Sequence, residues 1–168
     1  MTDVRIRDAQ AGDFDAILAL NEASVSLLSP LSPRRLAGLH AQAALHRVAE
    51  REGEVIGFLL AFRQGADYES PNYLWFAARY PQFLYVDRVV VADAARGQGV
   101  GALLYRDMFE FAAASGARLV TCEFDVDPPN PASAQFHARF GFREVGRQWV
   151  ADGRKQVSLQ VAPVQGED

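Results

Sequence analysis

The stretch over residues 85–101, with the sequence YVDRVVVADAARGQGVG, constrains the fold of this chain more than any other. Its first half is an apolar, β-branched run, which is typical of a buried strand. Three glycines at alternating positions follow, and they lead into a segment whose apolar residues recur at helical spacing, from Val100 to about Ala114. The stretch therefore predicts a strand, a glycine-rich turn and a helix in succession.

The glycine-rich turn at the predicted helix start is suited to bind a phosphate group. The first N–H groups of a helix have no intrahelical acceptor, and the helix dipole makes that end positive. Glycine also leaves room for a ligand to approach the backbone closely. The spacing of Gly97, Gly99 and Gly101 fits neither the P-loop GxxxxGKS/T, whose lysine and hydroxyl are missing, nor the dinucleotide motif GxGxxG. A nucleotide-binding domain of another fold is therefore disfavoured.

Length and composition indicate one globular domain. The chain has 168 residues, of which 49% are hydrophobic, and this is enough for a substantial core. A net charge of −4 gives no electrostatic footprint for nucleic acid. The single cysteine, Cys122, excludes an internal disulfide framework and fits a reducing cytoplasm. Because neither a membrane span nor a signal peptide is apparent, we expect a cytoplasmic protein without nucleic-acid or membrane partners.

Hydrophobic periodicity and capping residues predict the remaining elements. Asp13 can cap a first helix. Ser32 or Pro33 opens a second helix, which is expected to contain His40 and His46 as solvated or helix-end side chains. A further helix is expected at residues 132–139, and strands at 4–7, 48–50, 55–62, 117–126, 144–150 and 156–161.

Two motifs resemble the GNAT N-acetyltransferase superfamily. Residues 96–101, RGQGVG, match its acetyl-CoA signature R/Q-x-x-G-x-G/A. A second block of the family has the form N-x-x-A/S-x-x-φ-Y-x-x-x-G-F, where φ is apolar. At these positions the chain carries Asn130, Ser133, Phe136, His137, Gly141 and Phe142. His137 thus stands where the family has the tyrosine that protonates the departing CoA thiolate.

The resemblance covers residues 3–162, with 163–168 as a C-terminal tail, and implies a single α/β domain of the GNAT fold. In that fold a mixed, mostly antiparallel sheet has two splayed central parallel strands and flanking helices. The resemblance makes acetyl-CoA the co-substrate, and no metal ion is expected. It assigns the pantetheine arm to backbone groups of Val89, Val90 and Val91, one of which polarises the thioester carbonyl, and the remaining contacts to Arg96, Gly97, Gln98, Gly99, Val100, Gly101, Asn130, Ser133 and Phe136.

N-acetylation needs a general base, because an amine is a cation near pH 7 and must lose a proton before it attacks. Asp87 and Glu123 are the candidates, and Glu123 leads because its family counterpart is the base in some members. For either residue the alternative is an ion pair, with Arg88, Arg118 or Arg143 as partner. Cys122 is interpreted as a buried apolar residue, since a covalent route would need a paired base to form the thiolate.

His137 is the candidate general acid. An imidazolium with a reference pKa of ~6.5 is a stronger acid than a phenol with a pKa of ~10. Only a minority of an unperturbed histidine is charged at neutral pH, so we expect the rate to fall on the alkaline side at a lower pH than in a tyrosine enzyme. The alternative is a histidine that only hydrogen-bonds a carbonyl or the pantetheine.

The segment over residues 63–82, RQGADYESPNYLWFAARYPQ, has no clear period and is predicted to be a long loop. Its aromatic density argues against disorder. Two compatible interpretations stay open. The segment packs its aromatic side chains onto the domain or across a homodimer interface, or it forms a wall over the acceptor. In the second interpretation Tyr68, Tyr73 and Trp75 contact the substrate through apolar area and cation–π interactions.

These observations predict an enzyme that transfers acetyl from acetyl-CoA to a primary amine of a small molecule or peptide by direct attack. The alternative is a non-catalytic acyl-CoA-binding or regulatory module of the same fold, in which the site persists without turnover. The sequence does not distinguish among acceptors.

Overall fold

The computed structural model describes residues 3–24 and 30–165. Within them no helix has the length and apolar composition needed to cross a membrane. The elements in chain order are β1 (Arg5–Asp8), α1 (Phe14–Ala23), α2 (Pro33–Gln42), β2 (Leu45–Arg51), β3 (Glu54–Arg63), α3 (Pro71–Ala77), β4 (Leu84–Val91), α4 (Val100–Ala114), β5 (Leu119–Asp127), α5 (Pro131–Arg139), β6 (Arg143–Val150) and β7 (Lys155–Pro163).

The strands form a mixed sheet in the order β1-β2-β3-β4-β5-β7-β6. β1 with β2, β2 with β3, β5 with β7 and β6 with β7 are antiparallel. β4 and β5 are parallel, with Leu84 opposite Val120 and Tyr85 opposite Thr121, at the amino-terminal ends of both strands. The expected mostly antiparallel sheet with a central parallel pair and flanking helices is confirmed.

The chain divides into two compact units. The first unit comprises Met1–Phe62 and Val86–Phe111, and the second comprises Arg63–Tyr85 and Ala112–Asp168. The single domain over residues 3–162 stays a prediction.

The core of the first unit is built from apolar side chains of its helices and strands. Ile17 of α1, Leu36 of α2, Val48 of β2, Phe58 of β3 and Val90 of β4 form one cluster and are at most 3% exposed. Burial of such apolar side chains is the main favourable contribution to folding.

Side-chain caps fix the starts of two helices, and the predicted start of α2 at Ser32 or Pro33 is confirmed. The Ser32 hydroxyl accepts the Arg35 N–H at 3.0 Å at the start of α2. The Asn130 amide oxygen accepts the Ser133 N–H at 3.3 Å at the start of α5. Asp13 precedes α1, but its carboxylate accepts the Gln10 N–H instead of capping that helix.

One predicted loop contains a helix. Residues 71–77 of the long aromatic segment form α3, with a proline in its first turn. The buried side chains Asn72, Tyr73 and Phe76 fix this short helix, which hydrophobic periodicity alone did not indicate. The prediction of a loop over all of residues 63–82 was therefore wrong for this part.

The placement of His46 in α2 was also wrong. α2 ends at Gln42, and His46 lies in β2 opposite Leu60 of β3, where it is 6% exposed. Strand pairing has overridden the local helical pattern. His40 does lie in the last turn of α2, and its Nδ1 is 2.7 Å from the Nδ1 of His46. This contact needs one protonated and one bare nitrogen, so the two rings cannot both be charged and keep it.

Burial and the neighbouring His40 lower the pKa of His46 from 6.5 to about 4, against a smaller opposing effect of Asp13. The unfolded chain therefore binds a proton between these values that the folded chain does not. The resulting stability is fully present above pH 6.5 and is lost as the pH falls toward 4.

We expect the free energy of unfolding to drop between pH 7 and pH 4.5 by about 2–3 kcal/mol more in the parent than in His46→Phe, which cannot titrate there. Urea unfolding of both proteins at the two pH values measures the difference. Equal losses in the two proteins would show that His46 does not titrate on unfolding.

Candidate active site

The glycine-rich turn after β4 has the backbone geometry of an anion-binding helix start. Gly97 and Gly99 have φ angles of 77° and 81°, in the left-handed region that glycine adopts without steric cost. The Gly99 carbonyl accepts the Leu103 N–H at 3.0 Å, which begins the hydrogen bonding of α4. The N–H groups of Val100 and Gly101 therefore have no acceptor within the helix.

The polar side chains of this turn lie at the surface. Arg96 is exposed and forms an ion pair with Asp93, with Nε 3.2 Å from Oδ1. The Gln98 amide oxygen accepts from Arg51 of β2 at 2.5 Å. Arg51 adds a second cation beside the turn, and sequence reasoning missed it because 47 residues separate it from Gln98.

Apolar side chains of the first unit pack against the residue that follows this turn. Val100 is buried, and its Cγ1 would lie 3.5 Å from a Cβ placed on Gly57 of β3. The same Cβ would meet the Val90 carbonyl oxygen at 2.9 Å, so β3 and β4 approach too closely there for any side chain. Val89 and Val91, which flank Val90, are half-buried. The pantetheine contacts expected of these three valines stay a prediction.

Asp87 forms an ion pair with Arg88, which is one of the two roles that the sequence left open for it. Its Oδ2 lies 2.7 Å from Nε of Arg88, and the two side chains are only 5% and 6% exposed. The Arg88 guanidinium also donates to Asn21 of α1 at 2.9 Å. Taking one partner away from a buried ion pair is strongly destabilising. The Asp87 carboxylate therefore stabilises the packing of the first unit.

Glu123 has a different environment in the second unit. It is half-buried on β5, and the Tyr85 hydroxyl lies 2.9 Å from its Oε1 and 2.8 Å from its Oε2. A phenol donates to the charged form of a carboxylate without neutralising it. Burial and, to a smaller extent, the neighbouring Glu123 raise the pKa of the Cys122 thiol. This fits Cys122 as a buried apolar residue.

His137 is buried in α5 and anchored through one ring nitrogen. Its Nδ1 lies 2.7 Å from the Ser133 carbonyl oxygen and 3.2 Å from the Ser133 hydroxyl. A carbonyl only accepts, so Nδ1 carries the hydrogen, and Nε2 of the neutral ring carries none. Burial lowers the pKa of His137 from 6.5, and the Ser133 carbonyl partly opposes this. The ring is therefore neutral in an even larger fraction at neutral pH than the sequence predicted.

Glu123 and His137 lie on opposite faces of β5. The imidazole stacks on Phe124 with a centroid distance of 5.6 Å. Consecutive strand residues point to opposite faces, so Phe124 and Glu123 face away from each other. Phe136 packs edge-on against His137 at 5.3 Å. The structure thus separates the candidate base from the candidate acid instead of pairing them.

The three aromatic candidates for substrate binding are engaged in packing. Tyr68 and Tyr73 are buried, and the Tyr73 hydroxyl donates to the Arg63 carbonyl at 2.8 Å. Trp75 is half-buried, with the Arg79 guanidinium 3.8 Å from its ring centroid. The cation over the indole is therefore one of the chain's own side chains. These contacts match the packing interpretation of the segment, and substrate contacts of the three residues stay a prediction.

Gly146 of β6 leaves space for the Trp75 ring. A Cβ on Gly146 would lie 2.5 Å from Cζ2 of Trp75. Two residues further along β6, the Gln148 amide donates to Asn72 of α3 at 2.7 Å. Together these contacts fasten α3 to β6 within the second unit.

Among residues 3–24 and 30–165, no three His, Cys, Asp or Glu side chains are grouped as metal ligands.

Residues 14–142 match the sequence profile of the acetyltransferase (GNAT) family. The chain belongs to this family. A segment of 58 residues is 48% identical to phosphinothricin N-acetyltransferase of Streptomyces coelicolor, and it covers 34% of this chain and 33% of that protein. The chain thus matches about a third of the length of this curated relative.

Solved structures resemble nearly the whole chain. Ard1 from Thermoplasma volcanium has a TM-score of 0.79 at 16% identity, over 96% of this chain and 98% of that one. The protein yncA from Salmonella typhimurium, determined with its cofactor acetyl-CoA, has a TM-score of 0.74 at 18% identity, over 99% of this chain and 96% of that one. At these identities the likeness establishes the fold.

The backbone conformation of Gly99 allows a direct test of the anion site. Gly99→Ala places a Cβ in the left-handed region, which costs roughly 1–2 kcal/mol, and moves the first N–H groups of α4. We expect acetyl-CoA binding, measured by calorimetry, to weaken about tenfold or more, which is ~1.4 kcal/mol.

Gly116→Ala is the matched control. Gly116 follows α4 with a φ of 78°, and an added Cβ meets no atom within 4 Å at either glycine. Both variants should lose similar stability, while Gly116→Ala binds acetyl-CoA as the parent does. The same affinity in both variants would contradict the assignment of this turn.

Proposed function

We propose that this chain transfers acetyl from acetyl-CoA to a primary amine by direct attack of the amine on the thioester. The observation that carries the proposal is the turn in which Gly97 and Gly99 take left-handed conformations directly before α4. That turn presents backbone N–H groups where a pyrophosphate is bound most readily. Family membership supports it, as do the phosphinothricin N-acetyltransferase relative and the acetyl-CoA-containing yncA structure.

Acetyl-CoA is bound as a substrate through backbone groups more than through charge. The N–H groups of residues 96–101 contact the pyrophosphate, and Arg96 and Arg51 at the rim favour its negative charge. Backbone groups of residues 89–91 hold the pantetheine, and one N–H there polarises the thioester carbonyl.

Glu123 removes the proton that makes the acceptor amine unreactive. Its carboxylate is half-buried and accepts a hydrogen bond from the Tyr85 phenol, which still leaves an ionised carboxylate lone pairs that can take the proton. Asp87 is the poorer base, because protonating it would leave the buried guanidinium of Arg88 without its counter-charge. The proton taken by Glu123 passes to solvent after each turnover.

His137 moves the second proton of the reaction. The amine nitrogen carries an extra proton once it has bonded to the carbonyl carbon, and it must lose that proton as the C–S bond breaks. The neutral imidazole accepts it at Nε2, while Nδ1 stays bonded to the Ser133 carbonyl, and returns it to the CoA sulfur. This role suits a ring whose pKa burial has lowered, because the resting histidine must be neutral.

The opposite faces of β5 suit this division of labour. Glu123 takes the first proton of the amine from one face, and His137 carries the second proton from nitrogen to sulfur on the face of Phe124. The separation keeps a protonated imidazole from forming an ion pair with Glu123, which would remove the base from the reaction.

Exchanging each carboxylate for its amide tests the choice of base. Glu123→Gln removes the proton acceptor, and we expect kcat to fall by about 10²–10⁴-fold with little change in melting temperature. Asp87→Asn should instead lower the melting temperature, because it breaks a buried ion pair, and leave kcat of the folded protein close to that of the parent. Acetyl-CoA turnover with an amine acceptor measures both. The reverse pattern would make Asp87 the base.

Replacing His137 tests the proton relay. His137→Phe keeps the aromatic packing on Phe124 but has no nitrogen, so kcat should fall by about 10²-fold or more while acetyl-CoA affinity is unchanged. His46→Phe, which removes a histidine of similar burial in the first unit, is the matched control and should keep the kcat of the parent at pH 7. A His137→Phe variant as fast as the parent would leave His137 with a structural role only.

A further inference from the structure

Tyr85 is a buried polar residue that no motif of the sequence assigned to the site. It is fully buried, yet its hydroxyl lies within hydrogen-bond distance of both carboxylate oxygens of Glu123, at 2.9 Å and 2.8 Å. Burying a phenol is costly unless its hydroxyl is paired, and here the partner is a charged group. Because it is buried and its acceptor is charged, this hydrogen bond is stronger than an exposed hydrogen bond between neutral groups.

The parallel register explains why Tyr85 reaches Glu123. The Cα of Tyr85 lies opposite Thr121 in the ladder between β4 and β5. Glu123 follows Thr121 by two residues and points to the same face of β5. A diagonal neighbour on an adjacent strand is within reach of an aromatic side chain. A phenol at this position, with its oxygen at the end of a long rigid ring, spans that diagonal.

The Tyr85 ring is held by α3. Tyr73 packs against it with a centroid distance of 5.7 Å, and Phe76 with one of 5.9 Å. Both α3 side chains are themselves buried. The hydroxyl is therefore a fixed donor that stabilises the ionised carboxylate without reorganisation.

We propose that Tyr85 is a positioning residue that keeps Glu123 ionised and directed toward the acceptor amine, an inference that rests on the proposed role of Glu123 as base. The phenol contacts both oxygens through a single hydrogen. An ionised carboxylate has about four lone-pair sites, so it retains acceptor capacity for the proton of the amine. In this arrangement α3 acts on the reaction through Tyr85, and it need not touch the substrate.

Removing the hydroxyl alone tests the proposal. A hydrogen bond to the charged form of an acid favours that form, so Tyr85→Phe makes Glu123 easier to protonate. The acid limb of kcat/KM should then move to higher pH by about one unit, so that kcat/KM falls up to about tenfold on that limb and recovers toward the parent value at alkaline pH. A purely structural role would lower the whole profile without moving its acid limb.

Tyr105→Phe is the matched control, because Tyr105 is a buried tyrosine of α4 that has no place in the proposed machinery. It should show the same acid limb as the parent. The double variant Tyr85→Phe/Glu123→Gln should be no slower than Glu123→Gln alone, since a neutral amide has no charge for the phenol to stabilise. An additive loss in the double variant, or an unmoved acid limb in Tyr85→Phe, would overturn the proposal.

A second measurement does not depend on activity. In protein labelled with carbon-13 at the glutamate carboxyl, the Glu123 resonance should titrate at higher pH in Tyr85→Phe than in the parent. Identical titrations overturn the role of Tyr85 whatever the kinetics show. If Glu123→Gln is as fast as the parent, the proposed base itself is wrong. If Glu123→Gln is slow and both Tyr85→Phe readouts match the parent, only the inference about Tyr85 fails.

Discussion

The parallel pairing of β4 with β5 is the constraint on which the rest of the second unit depends. It places Tyr85 opposite Thr121, and this register sets the phenol on the diagonal to Glu123. Strand alternation then turns Phe124 to the other face, where His137 stacks on it. A shift of one residue would turn Glu123 to the other face and separate it from Tyr85, so the proposed chemistry depends on this register.

The two acidic candidates show how environment assigns roles to similar groups. Asp87 and Arg88 neutralise each other with side chains that are at most 6% exposed, and they anchor β4 to Asn21 of α1. Glu123 accepts a hydrogen bond from the Tyr85 hydroxyl, and we propose that this carboxylate takes the proton of the amine. Removing the charge of one partner from a buried ion pair is strongly destabilising, so Asp87 is the poorer candidate for the base.

Sequence patterns predicted what depends on neighbouring residues along the chain. Periodicity and caps predicted the strand, turn and helix from β4 to α4, the Ser32 cap of α2, and the motif helix α5. They did not predict α3 or the strand position of His46, because burial and strand pairing decided these. Nor did they pair Tyr85 with Glu123, since 38 residues separate the two and only the sheet register brings them together.

The most direct test of the account is the stoichiometry of the reaction. Purified protein is mixed with acetyl-CoA and a panel of primary amines, and the CoA thiol and the acetylated amine are both quantified. Direct attack predicts thiol release that requires an amine, with one acetylated amine formed for each thiol. If acetyl-CoA binds and no amine yields thiol, the chain is a non-catalytic binding module, and the proposed acetyl transfer is wrong.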